Sequence, residues 1–175
     1  MLQIAFKEWA VVCHAIGEGR QRIILRKGGI SEVGGTFRPE HDRFWLYPTY
    51  FHEPQFQGIK PECTPLLEAA EAARPPAGEL HLTHWAQVNG VEYVTDLDAL
   101  VQLADRHVLS EETIRQRFAY RTPGLYVLAV TAYQSVEPYV VAEKPEYAGC
   151  KTWVTLDAPL DTAGSTVAWD WESRR

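Results

Sequence analysis

The sequence predicts an α+β fold: a mostly antiparallel sheet, or a partly closed β-barrel, around a helical middle segment. Three observations lead there. Short apolar runs bounded by turn residues recur at both ends of the chain. Two stretches near the middle, about 64–73 and 96–120, carry helix-start signals and helical spacing instead. No apolar run approaches the ~18 residues needed to cross a bilayer, so no membrane partner is expected. At 175 residues the chain fits one domain, 1–175. Pro75-Pro76 is the one place where it could divide into lobes, 1–74 and 79–175.

In chain order, residues 8–16 read as a buried strand, Gly17-Glu18-Gly19 as a turn, and 21–26 as the returning strand of a hairpin. The glycine-rich stretch 27–36 reads as a loop able to hug a ligand. Residues 44–50 form a third strand and 53–63 a connection. Thr64-Pro65 starts a helix, with Thr as cap and Pro in the first turn, and Pro75-Pro76 stops it. Asn89-Gly90 between alternating runs predicts a two-residue hairpin linking strands 80–88 and 91–95. A helix capped by Thr95 or Asp96 extends to about His107, and a second opens at Ser110-Glu111-Glu112, where acids favour a helix start. Residues 125–134 form the clearest strand, followed by strands at 139–142, 152–156 and 167–171.

Composition narrows the function. The apolar share of 46% and the twenty aromatic rings suit an ordinary packed core. The N-terminal segment has neither a basic flank nor a long apolar stretch, so a cytoplasmic location is expected. Three widely spaced cysteines, Cys13, Cys63 and Cys150, argue for reduced thiols. The net charge of −6 argues against non-specific nucleic-acid binding, which depends on counterion release. That charge is uneven. Residues 1–60 carry a balance of +2 and residues 61–175 a balance of −8. A basic face on an acidic protein suits a specific anionic ligand.

The candidate site is the run from Arg26-Lys27-Gly28-Gly29 to His41, Trp45, Tyr47, Thr49 and His52. Cations beside glycines allow backbone N–H groups to approach an anion. The pattern is not a phosphate loop, because no Gly-Lys-Ser/Thr triplet opens a helix. Its bland counterpart is a solvated hairpin end. His81 and His84 sit on opposite faces of a predicted strand, and neither His41 nor His52 has a ligand-spaced neighbour, so no metal is expected. No cofactor motif is present. Cys150 beside Lys151 reads better as a small buried thiol than as a nucleophile. Glu143-Lys144 lacks the spacing of a metal-dependent nuclease. Arg117 and Arg121 lie one turn apart and could share a face for stacking or phosphate contact, whereas Arg115 reads as solvated.

The segments Phe6-Lys7-Glu8-Trp9-Ala10, Leu25-Arg26-Lys27-Gly28-Gly29-Ile30, Leu46-Tyr47-Pro48-Thr49 with His52, and Gly149-Cys150-Lys151-Thr152-Trp153 together resemble the prokaryotic family known as domain of unknown function 1802, over about residues 5–157. Where that pattern has Gln after Thr49-Tyr50, this chain has Phe51-His52-Glu53. The resemblance carries no activity. It implies a link to restriction systems, and so DNA or a nucleotide, and a restriction-type nuclease, as partners. A helix leading through Arg121-Thr122-Pro123-Gly124 into the strand at 125–130 is similar to pseudouridine-synthase-associated (PUA-like) barrels, a likeness of fold alone.

The leading expectation is a recognition module for nucleic acid or a nucleotide, without catalysis of its own. In it Arg26, Lys27 and the Gly28-Gly29 backbone hold the ligand, Trp45, Tyr47 or Trp153 stacks on it, and His41, His52, Arg117, Arg121 and Lys151 contact phosphate or base edges. The alternative is a small nuclease or hydrolase using His41 or His52 with Arg26 or Lys27 as a clamp. A third reading is a structural or interaction protein with no small-molecule site.

Overall fold

A computed structural model describes residues 1–28, 30–33, 36–50, 57–149 and 151–169. The expected α+β architecture is present. In chain order the elements are β1 (Leu2–Trp9), α1 (Ala10–Gly17), β2 (Ile23–Arg26), β3 (Ile30–Val33), β4 (Thr36–Pro39), β5 (Arg43–Thr49), α2 (Thr64–Ala72), β6 (Glu79–Val94), α3 (Leu97–Val101), α4 (Glu111–Ala119), β7 (Leu125–Ala142), β8 (Trp153–Leu160) and β9 (Thr166–Trp169). The main sheet runs β2-β7-β6-β5-β1-β8, with β9 also paired to β7. Its pairs are antiparallel except β1 with β5. β3 and β4 form a separate hairpin.

The sheet curls strongly. Arg26, on the terminal strand β2, donates to Thr152 Oγ1 just before β8, the strand at the other end. No ladder joins β2 to β8 among the described residues, so the curled sheet is not closed. Apolar side chains pack on both faces of the sheet. One core gathers Phe6, Phe44 and Leu46 with α1, α2 and α4. A smaller one gathers Ala5, Trp45, Tyr47, Leu80, Leu82 and Tyr147. Alternation along β1 from Ile4 onward and along β5 sends neighbouring residues to different cores.

Several local expectations are corrected. The strand expected at 8–16 is the end of β1 followed by α1. Val11, Ala15 and Ile16 are fully buried, and a short run buried all round has no face to reveal its period. The glycines beyond it end a helix: Glu18 N–H donates to His14 O, and Gly19 takes a φ of +69°. β2 is therefore not the return of a hairpin but pairs with β7. The stretch 27–36 contains β3 rather than only loop. Asn89-Gly90 is not a turn. β6 runs through it as one strand, with a register shift between Val88 and Gly90, because β7 offers a partner of matching length. Asn89 donates to Thr131 Oγ1 across the ladder at 2.8 Å. The strands expected at 125–134 and 139–142 are one strand, β7.

The helical expectations fare better. Asp96 caps α3, accepting from Asp98 N at 2.9 Å, although the helix stops at Val101 and a 3-10 turn occupies Ala104–Arg106. Ser110 caps α4 through Thr113 N at 3.2 Å. In α2, Thr64 is the first helical residue and Cys63 stands at the cap. Cys13 and Cys63 are buried free thiols. No helix among the described residues is long and apolar enough to cross a membrane.

Candidate functional site

The fold brings Arg26 of β2 and Arg117 of α4 to one carboxylate. Glu8, near the end of β1, is 3% exposed. Its Oε2 lies 3.4 Å from Arg26 Nη1, and its Oε1 lies 3.9 Å from Arg117 Nη2 and accepts from Trp9 N at 2.9 Å. Arg26 also donates to Lys7 O and Thr152 Oγ1, with its guanidinium over the Phe6 ring at 4.8 Å. Arg117 donates to Leu25 O at 3.1 Å and lies over Trp9 at 4.6 Å. Burial lowers the Arg117 pKa and Glu8 pulls it partly back. Thr49 Oγ1 donates to Glu8 O at 2.9 Å, since parallel pairing sets Thr49 opposite Trp9. Of the expected site residues, Arg26, Thr49 and Arg117 thus converge. Glu8, at the centre, was not among them.

Lys27 is close by in sequence but serves another end. Its Nζ donates to the carbonyls of Phe118 (2.9 Å), Gly124 (2.7 Å) and Thr122, closing off the C-terminal turn of α4. Burial lowers its pKa. A cation on the last carbonyls of a helix is favourable twice, through hydrogen bonds and through the helix dipole. Lys27→Met is expected to cost about 1–2 kcal/mol in urea unfolding. A change below about 0.3 kcal/mol would contradict this capping role.

The remaining expected residues scatter. Trp45 is fully buried and donates to Leu2 O at 3.1 Å, so its ring offers no face to a ligand; this corrects its proposed stacking role. Trp153 packs against Phe6 and Phe44, and the His41 ring meets it edge-on at 5.1 Å. The Glu40 carboxylate lies 3.9 Å from His41 Nε2, beyond hydrogen-bond reach. Arg121 is exposed at a φ of +60°, over the Tyr120 ring. Lys151 donates to Glu146 O at 2.9 Å. Gly28 is exposed. Gly29 and His52 lie outside the described residues, as does Cys150. Among the described residues, no group of three or more His, Cys, Asp or Glu is placed to hold a metal ion.

A roomier hollow lies elsewhere. A cleft of about 790 Å³ opens between the segments Arg74–Leu80 and Glu143–Gly149, over a floor of Lys7 and Tyr47–Tyr50. Tyr47 and Thr49 are the expected site residues that line it. The Tyr47 hydroxyl donates to Glu143 Oε1 at 2.9 Å, and burial, reinforced by Glu143, raises its pKa. Burial pushes Tyr50 up to about 12. Lys7 donates to Tyr147 O and Gly149 O and lies 5.5 Å from the Tyr47 ring centre. The Arg74 guanidinium covers the Tyr50 ring at 5.1 Å, and Lys144 pairs with Asp157. The cleft thus carries three cations, two carboxylates (Glu79 and Glu143) and three tyrosines. Sequence reasoning missed its walls because they belong to stretches read only as a helix stop and a strand end. Period-2 alternation was the usable signal: it places Lys7 beside Tyr47, facing away from Phe6.

The family profile described as Domain of unknown function (DUF1802) matches residues 5–172. The chain belongs to this family. The match takes in the four segments that suggested it and extends past residue 157, and both the Glu8 cluster and the cleft of this DUF1802 protein fall within it. Solved structures similar to this DUF1802 protein include that of ASCH from Zymomonas mobilis, at 14% identity and a TM-score of 0.49, covering 87% of this chain and 86% of that one. A serine-to-alanine variant of the same Zymomonas mobilis protein matches at 13% identity, 0.49, and 87% of each chain. A tyrosine-to-phenylalanine variant matches at 14%, 0.48, and 89% and 91%. No curated protein matches the chain.

Proposed function

We propose that this protein recognises nucleic acid by taking one nucleotide unit into the cleft between Arg74–Leu80 and Glu143–Gly149. The observation that carries the reading is the composition of that cleft. Its volume is that of small-ligand sites in general. Lys7, Arg74 and Lys144 ring it with positive charge, and Tyr47, Tyr50 and Tyr147 supply aromatic surface. A pocket of this kind suits a chain of net charge −6 better than a groove-binding surface does, because it depends less on the summed field. The Glu8 cluster supports the cleft from below, fixing the end of β1 and, through Thr49, the end of β5.

The test is fluorescence anisotropy at low salt with labelled single-stranded and duplex DNA and RNA. Single strands are expected to bind, and Arg74→Ala to weaken them about fivefold, a loss of about 1 kcal/mol. Failure of all four probes to bind would remove the reading. In the same proposal the module serves a restriction- or defence-linked system and performs no catalysis of its own. Cleavage of any probe by the purified protein would contradict that part.

A further inference from the structure

The cleft's hydrogen-bonding groups are unevenly committed, and this bears on what enters it. Lys7, Tyr47, Thr49 and Tyr147 each already donate to a protein oxygen. Arg74 lies 3.8 Å from Glu71, and Lys144 is paired with Asp157. Of the two lining carboxylates, Glu79 has His81 Nε2 at 2.9 Å. Glu143 differs. It is exposed in the cleft, and its side-chain partner is the Tyr47 hydroxyl, which takes one lone pair of Oε1. Its backbone is pinned as well, because Glu143 N–H donates to Gly78 O at 2.9 Å, one step beyond the Glu79–Ala142 pair of β6 and β7. A carboxylate has about four acceptor sites. Among the described residues Glu143 therefore presents an oriented acceptor with open capacity on both oxygens.

We infer that Glu143 makes this cleft selective for a base whose edge carries two adjacent N–H donors, as that of guanine does. The inference rests on the reading of the cleft as a nucleotide site. Guanine sets a ring N–H beside an amino group, which matches two carboxylate oxygens. Adenine and cytosine set an amino donor beside a ring nitrogen acceptor, which would face carboxylate oxygen and repel it. Uracil offers one N–H between two carbonyls. Charge assistance makes the matched pair stronger than a neutral one. A mismatched edge leaves the carboxylate desolvated without a partner, which is the larger source of discrimination.

The experiment uses the full chain and single-stranded RNA pentamers identical except at the central position, which is G, inosine, A, C or U. The G pentamer is expected to bind at least tenfold more tightly than the other four. Inosine is the sharpest comparison, because it lacks only the amino group. Glu143→Gln keeps the shape and an acceptor for Tyr47 but turns an amide NH₂ toward the base. It is expected to bring all five affinities within about twofold, with its circular-dichroism melt unchanged. Equal binding of the five pentamers by the native protein, or a preference for G that survives Glu143→Gln, overturns the inference and leaves the nucleotide reading standing. Absence of binding to all five overturns both.

Discussion

Glu8→Gln is expected to destabilise the fold by about 3 kcal/mol, the low end for breaking a buried ion pair. The native carboxylate holds two guanidiniums, those of Arg26 and Arg117, whose side chains are each only 21% exposed. Without its charge the two cations face each other across the space Glu8 fills, and water reaches them too little to compensate. Gln retains an oxygen for the Trp9 N–H, so the substitution isolates the charge from the hydrogen bond. The readout is the urea midpoint at constant slope. A loss below about 1 kcal/mol would mean that hydrogen bonds to Lys7 O, Thr152 and Leu25 O, rather than the carboxylate, hold the arginines. Because the same cluster sets the ends of β1 and β5, Glu8→Gln should also reduce the proposed nucleic-acid binding without touching the ligand.

The second large effect is on stability as pH falls. His107 is 4% exposed, and neither ring nitrogen makes a well-aligned hydrogen bond among the described residues, the Leu109 backbone giving it partial polar help. Burial first, then the Lys60 ammonium, presses its pKa to about 4, and the Leu109 backbone offsets this only in part. An unfolded histidine titrates near 6.5. The unfolded chain therefore takes up this proton before the folded one, and stability declines as pH drops from about 6.5 to about 4. It levels off below that, once both states are protonated. At about 1.4 kcal/mol for each pH unit of that window, this one side chain removes about 3 kcal/mol. His107→Leu should flatten that part of the curve. The decisive quantity is the difference between native and variant unfolding free energies at pH 7 and pH 4, which cancels the other titrating groups. If the difference is the same at both pH values, His107 is not buried as a neutral ring.

What the sequence disclosed follows from the range of each signal. Ser110 and Asp96 act on backbone two or three residues away, so their capping was readable. β7 was readable because five of its first ten residues (Tyr126, Val127, Val130, Thr131 and Tyr133) are β-branched or aromatic and none is a breaker. α1 was not, since burial on every side erases the amphipathic period. Asn89-Gly90 misled because a turn signal is local, whereas β7 holds β6 straight past it. The site divides in the same way. The density of cations and rings around residues 26–52 was visible, and Arg26, Arg117 and Thr49 do meet. Their meeting point was not visible, because Arg26 finds Thr152 126 residues away and Lys27 finds carbonyls more than 90 residues away. The cleft depends on two loops with no chemistry of their own until the sheet sets them opposite each other.

The place of β1 within the sheet sets an order of events during synthesis. Ala5 is flanked by Trp45 on one side and Val154 on the other. β1 is thus an interior strand that gains its second neighbour only when residue 154 has been made. At ordinary translation speeds that interval is on the order of ten seconds. Through it, one side of an apolar strand stays open to other nascent chains. A translational pause between β5 and β8 should therefore lower the yield of folded protein more than an equal pause after β8.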